Sequence, residues 1–175
     1  MVEARLVSYD DKLHRESFYE ITHEYFAWVH EQVLSIFNLE VFPNGDITGY
    51  LDKVFPEYTC ISPPHGEVFI LEVGDQVAGM CVLKELVDGV GEIKRMYVRP
   101  DYRGNAYSSL ILDRLIDRAR EFGFKVLRLD TNKFMKAAQH IYRKRGFYEI
   151  GVYPGNEWEH RTDGHEIMVF MEKKL

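Results

Sequence analysis

Cysteine is nearly missing from this sequence. Cys60 and Cys81 are the two copies among 175 residues, too few for a disulfide framework and without the paired spacing of a zinc site. Both read as reduced. His65, His140, His160 and His165 are scattered without ligand spacing, so no metal is expected. Long apolar runs are missing as well. The cleanest, residues 77–83, is far too short to span a bilayer, and the charged opening MVEARLVSYD lacks the apolar core of a signal peptide. A cytoplasmic protein without membrane contact is expected. Basic charge is in deficit, with 22 Lys and Arg against 28 Asp and Glu and a net charge of −6. That excludes the basic footprint needed for non-specific nucleic-acid binding. It is compatible with a cationic substrate, although an acidic, soluble surface accounts for it without any partner. No repeat, low-complexity segment or linker divides the chain, so residues 1–175 read as a single domain with a substantial core.

What is present is a clear succession of elements. A short strand is expected over 4–8. Phe18, Ile21, Tyr25, Val29, Val33 and Phe37 then recur at helical spacing until Pro43, Asn44 and Gly45 end the pattern. A short helix over 47–54 has Asp46 as its cap. Pro56, Pro63 and Pro64 mark a loop. Strands over 66–73 and 76–86 form a hairpin, and a third strand covers 92–98. A helix over 106–122 presents Leu112, Leu115, Ile116, Ala119 and Phe122 on one face. A strand over 125–130, a helix over 136–145 stopped by Gly146, and strands over 147–153 and 166–172 complete the chain. The order predicts an α/β fold with a mixed, mostly antiparallel central sheet and flanking helices. The strand–helix–strand crossover makes 92–98 and 125–130 parallel neighbours. Strict alternation places Glu92, Lys94, Met96 and Val98 on one face.

The most informative stretch is EIKRMYVRPDYRGNAYSSLIL, residues 92–112. An apolar strand leads through Pro100 and Asp101 into a small-residue loop that opens a helix. A helix start leaves backbone N–H groups unpaired and concentrates positive charge, which suits a phosphate. Gly104, Ala106 and Ser108 let such a group approach the backbone, and Arg103 adds a fixed charge. No Gly-Lys-Ser/Thr triplet follows, which excludes a P-loop nucleotide site.

The same stretch resembles the acetyl-CoA-binding core of the GNAT N-acetyltransferase superfamily. The loop Arg103, Gly104, Asn105, Ala106, Tyr107, Ser108 matches the family's frame, with Ala106 and Ser108 where glycine is usual. IKRMYVRP resembles the family's cofactor strand, and AAQHIYRKRGFYEI the helix and strand carrying its tyrosine and Gly-Phe pair. The resemblance covers about 68–150. It implies a sheet splayed around acetyl-CoA, with pantetheine between 96–98 and the 125–130 strand. Backbone groups of Met96, Tyr97 and Val98 would pair with its amides. The N–H groups of Arg103 to Ser108 would hold the pyrophosphate.

Glu92 is then the candidate base, or else a strand glutamate paired with Lys94 or Arg95. Tyr142, four residues before Gly146, is the candidate acid at the thioester sulfur. The Tyr97 N–H is the candidate oxyanion donor. Met135 stands where the family often has an asparagine, leaving Asn132, a turn earlier, for that cofactor contact. Tyr25, Trp28 and Phe37 could line a substrate pocket or belong to the core stripe of a helix, and Glu24, Glu31 and Glu157 could attract an amine. The expected activity is acetyl transfer to a primary amine of a small molecule or peptide. The alternative is a non-catalytic acyl-CoA sensor, and an exposed C-terminal sheet edge could support a homodimer.

Overall fold

The computed structural model describes residues 3–175. Seven strands form one sheet: β1 (Ala4–Ser8), β2 (Gly66–Val73), β3 (Gln76–Val87), β4 (Val90–Val98), β5 (Val126–Asn132), β6 (Tyr148–Ile150) and β7 (Met168–Lys174). Their spatial order is β1-β2-β3-β4-β5-β7-β6. β4 and β5 pair in parallel, and the other neighbours are antiparallel. The mixed, mostly antiparallel sheet is therefore as expected. β6, at the C-terminal edge, is only three residues long.

Alternation along β2 shows how the layers form. Phe69 and Leu71 face the core built with Ile111, Leu112 and Leu115 of helix α3 (Tyr107–Glu121) and Tyr142 of helix α4 (Lys136–Lys144). Val68 and Ile70 face the opposite core, which contains Phe18 and Ile21 of helix α1 (Asp11–Phe37) and Leu51 and Phe55 of helix α2 (Ile47–Thr59). A period of two sends each strand's apolar residues into both layers at once. α1 begins at Asp10, whose carboxylate accepts from the N–H groups of Lys12 and Leu13.

Four expectations are corrected. α2 continues through Pro56 to Thr59, because Phe55 and Tyr58 on either side of the proline are buried against the sheet. The strand expected over 147–153 is ordered as strand only over β6, and residues 151–161 turn back toward the sheet. The last strand starts at Met168. Thr162–Ile167 forms a short helix, α5, in which Gly164 lies against Trp158 so closely that a Cβ would fall 2.0 Å from the indole.

The fourth correction shapes the site. Strict alternation fails in β4, where the pairing with β3 jumps from Lys94 opposite Val82 to Tyr97 opposite Met80. Arg95 takes φ 56°, a left-handed backbone rare for a side chain of this size. This bulge moves Met96 and Val98 to the α3 layer, while Lys94, Arg95 and Tyr97 face the α1 layer. Glu92 and Lys94 therefore do not share a face with Met96 and Val98.

Candidate active site

The parallel ladder of β4 and β5 runs from Val90 opposite Val126 to Ile93 opposite Leu129, and there it stops. Residues 94–98 stay with β3 and residues 130–132 stay with β7, so a cleft opens between the two strands. Tyr25 and Trp28 of α1, Met96, Tyr97 and Val98 of β4, Arg103, Ser108, and Phe134, Met135, Ala138 and Ile141 at α4 line a volume of about 210 Å³. The Val98 carbonyl accepts a hydrogen bond from Arg103 Nε at 3.0 Å. The Tyr97 carbonyl instead lies against β3, 2.8 Å from where a side chain on Gly79 would begin. The N–H and C=O of one strand residue point to the same edge. The amide offered to the cleft is therefore that of Val98. The Tyr97 N–H, expected there as oxyanion donor, faces β3, and Tyr97 gives the cleft its ring.

At the mouth of the cleft, α3 starts without a side-chain cap because Ala106 occupies the cap position. The N–H groups of Gly104, Asn105, Ala106, Tyr107 and Ser108 make no hydrogen bond among the described residues. Five adjacent open donors at a helix start suit a diphosphate. The Arg103 amide is not among them, since it donates to the Pro100 carbonyl at 3.1 Å. Its guanidinium lies 5.3 Å from the Trp28 ring centre and 5.6 Å from that of Tyr97. Gly104 has φ 83° and Ala106 φ 59°, so Ala106 adopts the backbone that glycine usually supplies. Asn105 fastens the loop through its side-chain amide to the Tyr102 and Arg103 carbonyls.

A second cavity, of about 240 Å³, lies behind the first. Tyr25 lines both. Phe26, Phe42, Tyr50 and Trp158 supply aromatic walls, and Arg95, Asp130, Asn132, Glu157 and Arg161 supply polar groups. The β4 bulge places Arg95 over Phe26, with its guanidinium donating to both Glu157 oxygens at 3.0 and 3.2 Å and to the Tyr58 hydroxyl at 2.9 Å. Lys94 Nζ sits 3.5 Å from Glu157 and 3.9 Å from Asp130. Burial alone would lower the Lys94 pKa, but Glu157 and Asp130 outweigh it and hold the ammonium charged. Burial would likewise raise Glu157, but Arg95 and Lys94 hold it down at about 2. Asp130 moves the other way. Burial pushes its carboxyl upward against the pull of Lys94.

Residues 7–147 match the profile of the Acetyltransferase (GNAT) family. The chain belongs to that family, the acetyl-CoA-dependent N-acetyltransferases. A relative in Schizosaccharomyces pombe, named an uncharacterized N-acetyltransferase, is 32% identical over 134 residues, 75% of this chain and 79% of that protein. The IAA acetyltransferase of Azospirillum brasilense is 38% identical over 87 residues. The alignment spans half of this chain and 53% of the Azospirillum protein. Among solved structures, the PaiA N-acetyltransferase of Thermoplasma acidophilum in complex with coenzyme A aligns over 99% of both chains, with a TM-score of 0.73 at 14% identity. The GNAT fold is thus common to proteins of very different sequence.

This GNAT chain distributes the expected site residues unevenly. Met96, Tyr97, Val98, Arg103 and Ser108 do meet at the first cleft. Asn132, expected there, lines the second cavity instead, because β5 carries it past the splay on the far side of Tyr25. Glu92 lies on neither lining. It is fully buried, accepting from Tyr153 Oη at 2.9 Å and Asn156 Nδ2 at 3.2 Å, with Lys84 at 3.5 Å and Lys94 at 3.7 Å. Asn156 also donates to Asp130 at 2.8 Å, so Glu92 stands one residue behind the carboxylate that does reach the cavity. Tyr142 also lies on neither lining and is buried in the α3-side core beside Phe147. Burial, then the neighbouring Tyr25 and Asp130, push its phenol well above the usual range, so it keeps its proton.

Sequence reasoning missed Asp130 and Arg95. Asp130 ends the strand read as 125–130 and so marks the splay. For Arg95 no pattern signals the bulge that turns it inward. Glu24, offered as an attraction for amines, is engaged by the Tyr97 hydroxyl and Arg99. Glu157 serves Arg95 and Lys94.

Proposed function

We propose that this protein moves the acetyl group of acetyl-CoA directly to the primary amine of a small molecule or peptide. The observation that carries this reading is the run of open N–H donors at 104–108, set at the mouth of the β4–β5 splay. The relatives solved with coenzyme A or acetyl-CoA support it. The diphosphate would meet the loop amides. The pantetheine arm would run along Val98, displacing Arg103 Nε from that carbonyl. The acetyl group would come to the wall formed by Tyr25, beyond which the amine waits.

The amine nitrogen attacks the thioester carbon, forming a C–N bond, and the C–S bond breaks. One amine proton must leave and the departing sulfur must gain one. Asp130 is the group placed to take the first proton, since it lines the cavity and its raised pKa makes it a better base than an ordinary aspartate. Glu92 supports it through Asn156 and Lys94. Tyr142, held protonated, supplies the second, and the Val98 N–H stabilises the oxyanion. Holding amine and thioester together contributes the rest.

The test joins acetyl-CoA binding by calorimetry to thiol release across an amine panel. Binding with amine-dependent release is expected. Binding without release from any amine would instead favour the sensor reading. Ala106 in the glycine conformation keeps the loop in shape despite the substitution, as either reading requires. In Tyr142→Phe, kcat should fall by about 100-fold with acetyl-CoA affinity kept. An unchanged kcat removes Tyr142 from the chemistry.

A further inference from the structure

Arg103 stands apart from the arginines near it in the chain. Arg95 and Arg99 each bind a carboxylate, Glu157 and Glu24. Among the described residues Arg103 binds none. Glu24, which also holds the Tyr97 hydroxyl, is claimed by Arg99 at 2.8 Å. Arg103 Nε donates to the Val98 carbonyl at 3.0 Å, and its two Nη groups make no hydrogen bond among the described residues. The guanidinium lies instead against Trp28 and Tyr97, 5.3 and 5.6 Å from rings whose own centres are 6.0 Å apart. Trp28, Tyr97, Val98 and Arg103 all line the first cleft.

The Arg103 side chain thus takes the place that a pantetheine arm needs. The carbonyl of Val98 is the acceptor for an amide of that arm, and it already has a donor. Arm and side chain compete for one acceptor and one stretch of wall. What can draw Arg103 away is close by, because its own backbone leads into the open amides of 104–108. A diphosphate seated on those amides brings anionic oxygens that suit a planar guanidinium and its free Nη groups. Side-chain torsions alone make the exchange. The contacts given up are one hydrogen bond and two cation–ring contacts at a part-buried side chain, roughly a tenfold preference in all.

We propose that Arg103 selects the donor: its side chain closes the pantetheine cleft until a diphosphate draws it out, so acyl-CoA is admitted ahead of pantetheine thioesters that lack the diphosphate. This rests on the acetyltransferase reading above. The donor cut in two tests it. Pantetheine and inorganic pyrophosphate are titrated separately and together by NMR, which reads weak dissociation constants and follows the Arg103 Nε–H signal. Saturating pyrophosphate should shift that signal and tighten pantetheine by about tenfold, although the two share no bond. Arg103→Ala should tighten pantetheine by about tenfold unaided, remove its response to pyrophosphate, and weaken coenzyme A relative to pantetheine.

Pantetheine affinity unchanged or weakened by pyrophosphate in the parent would overturn the proposal. That measurement decides the matter by itself if Arg103→Ala does not fold. Arg103→Ala that weakens coenzyme A and leaves pantetheine untouched would also overturn it, since an arginine that only binds phosphate behaves in that way. Coenzyme A bound by the parent with no effect of pyrophosphate on pantetheine sinks this proposal alone. No binding of coenzyme A would sink the acetyltransferase reading with it.

Discussion

In the proposed mechanism Asp130 and Glu92 divide one task between two carboxylates. Only Asp130 reaches a cavity, and only Glu92 is fully closed off. A base works as its anion, so kcat/KM should climb with pH as Asp130 loses its proton. Burial places that climb above the ordinary aspartate range. Asp130→Asn should lower kcat/KM by about 100-fold or more and erase the climb. Glu92→Gln should leave the climb in place and move its midpoint, since Glu92 acts through Asn156 and Lys94. Should Glu92→Gln erase the climb and Asp130→Asn keep it, the two roles are reversed. In the sequence, the family resemblance of its strand pointed to Glu92. What they could not reveal is which carboxylate the splay leaves uncovered, because that depends on where the β4–β5 ladder stops.

Among the elements, the loop entering α3 joins sequence and function most directly. Its two left-handed positions are filled differently. Gly104 fits its φ of 83° freely, and a Cβ there would meet nothing within 4 Å, so Gly104→Ala should cost only the backbone term of about 1 kcal/mol. Ala106→Gly should gain up to about 1 kcal/mol for the same reason. Urea denaturation of both variants checks the opposite signs. Equal shifts would mean that the left-handed backbone is not what sets the stability there. This loop was legible as an anion site from small residues before a helix. The bulge in β4 was not. A left-handed arginine follows no local rule, and its conformation is held by the Glu157 and Tyr58 contacts, which come from distant parts of the chain. α2 shows the same limit, since burial on the sheet carries it past Pro56.

The whole molecule is bound together at the site by residues 151–161, which bring Tyr153, Asn156 and Glu157 onto the sheet. Glu157 is the charged fastening of that segment. Its pKa is lowered from 4.5 to about 2, so its contribution is fully present above the upper value and is lost as pH falls through the lower one. Glu157→Gln leaves Lys94 and Arg95 without their main counter-charge and should destabilise the fold at neutral pH. The difference between parent and variant should close as pH falls from about 5 to about 2. A constant difference across that range would show that Glu157 acts by shape alone. Layering, strand order and the crossover were readable from apolar periodicity. The return of 151–161 was not, because its polar residues gain meaning only from partners far away in the chain.

Tyr25 remains, a ring with one cavity on each side. A shared wall couples the binding of the two ligands before they react. Whichever arrives first restricts the rotamers and the hydroxyl direction of Tyr25, and so removes part of the ordering entropy the second would otherwise lose. Linkage then requires that acetyl-CoA tighten the acceptor by the same factor as the acceptor tightens acetyl-CoA. A closed thermodynamic cycle of binding measurements with a non-reactive acyl-CoA would read that factor from both directions, and Tyr25→Ala should bring it toward one.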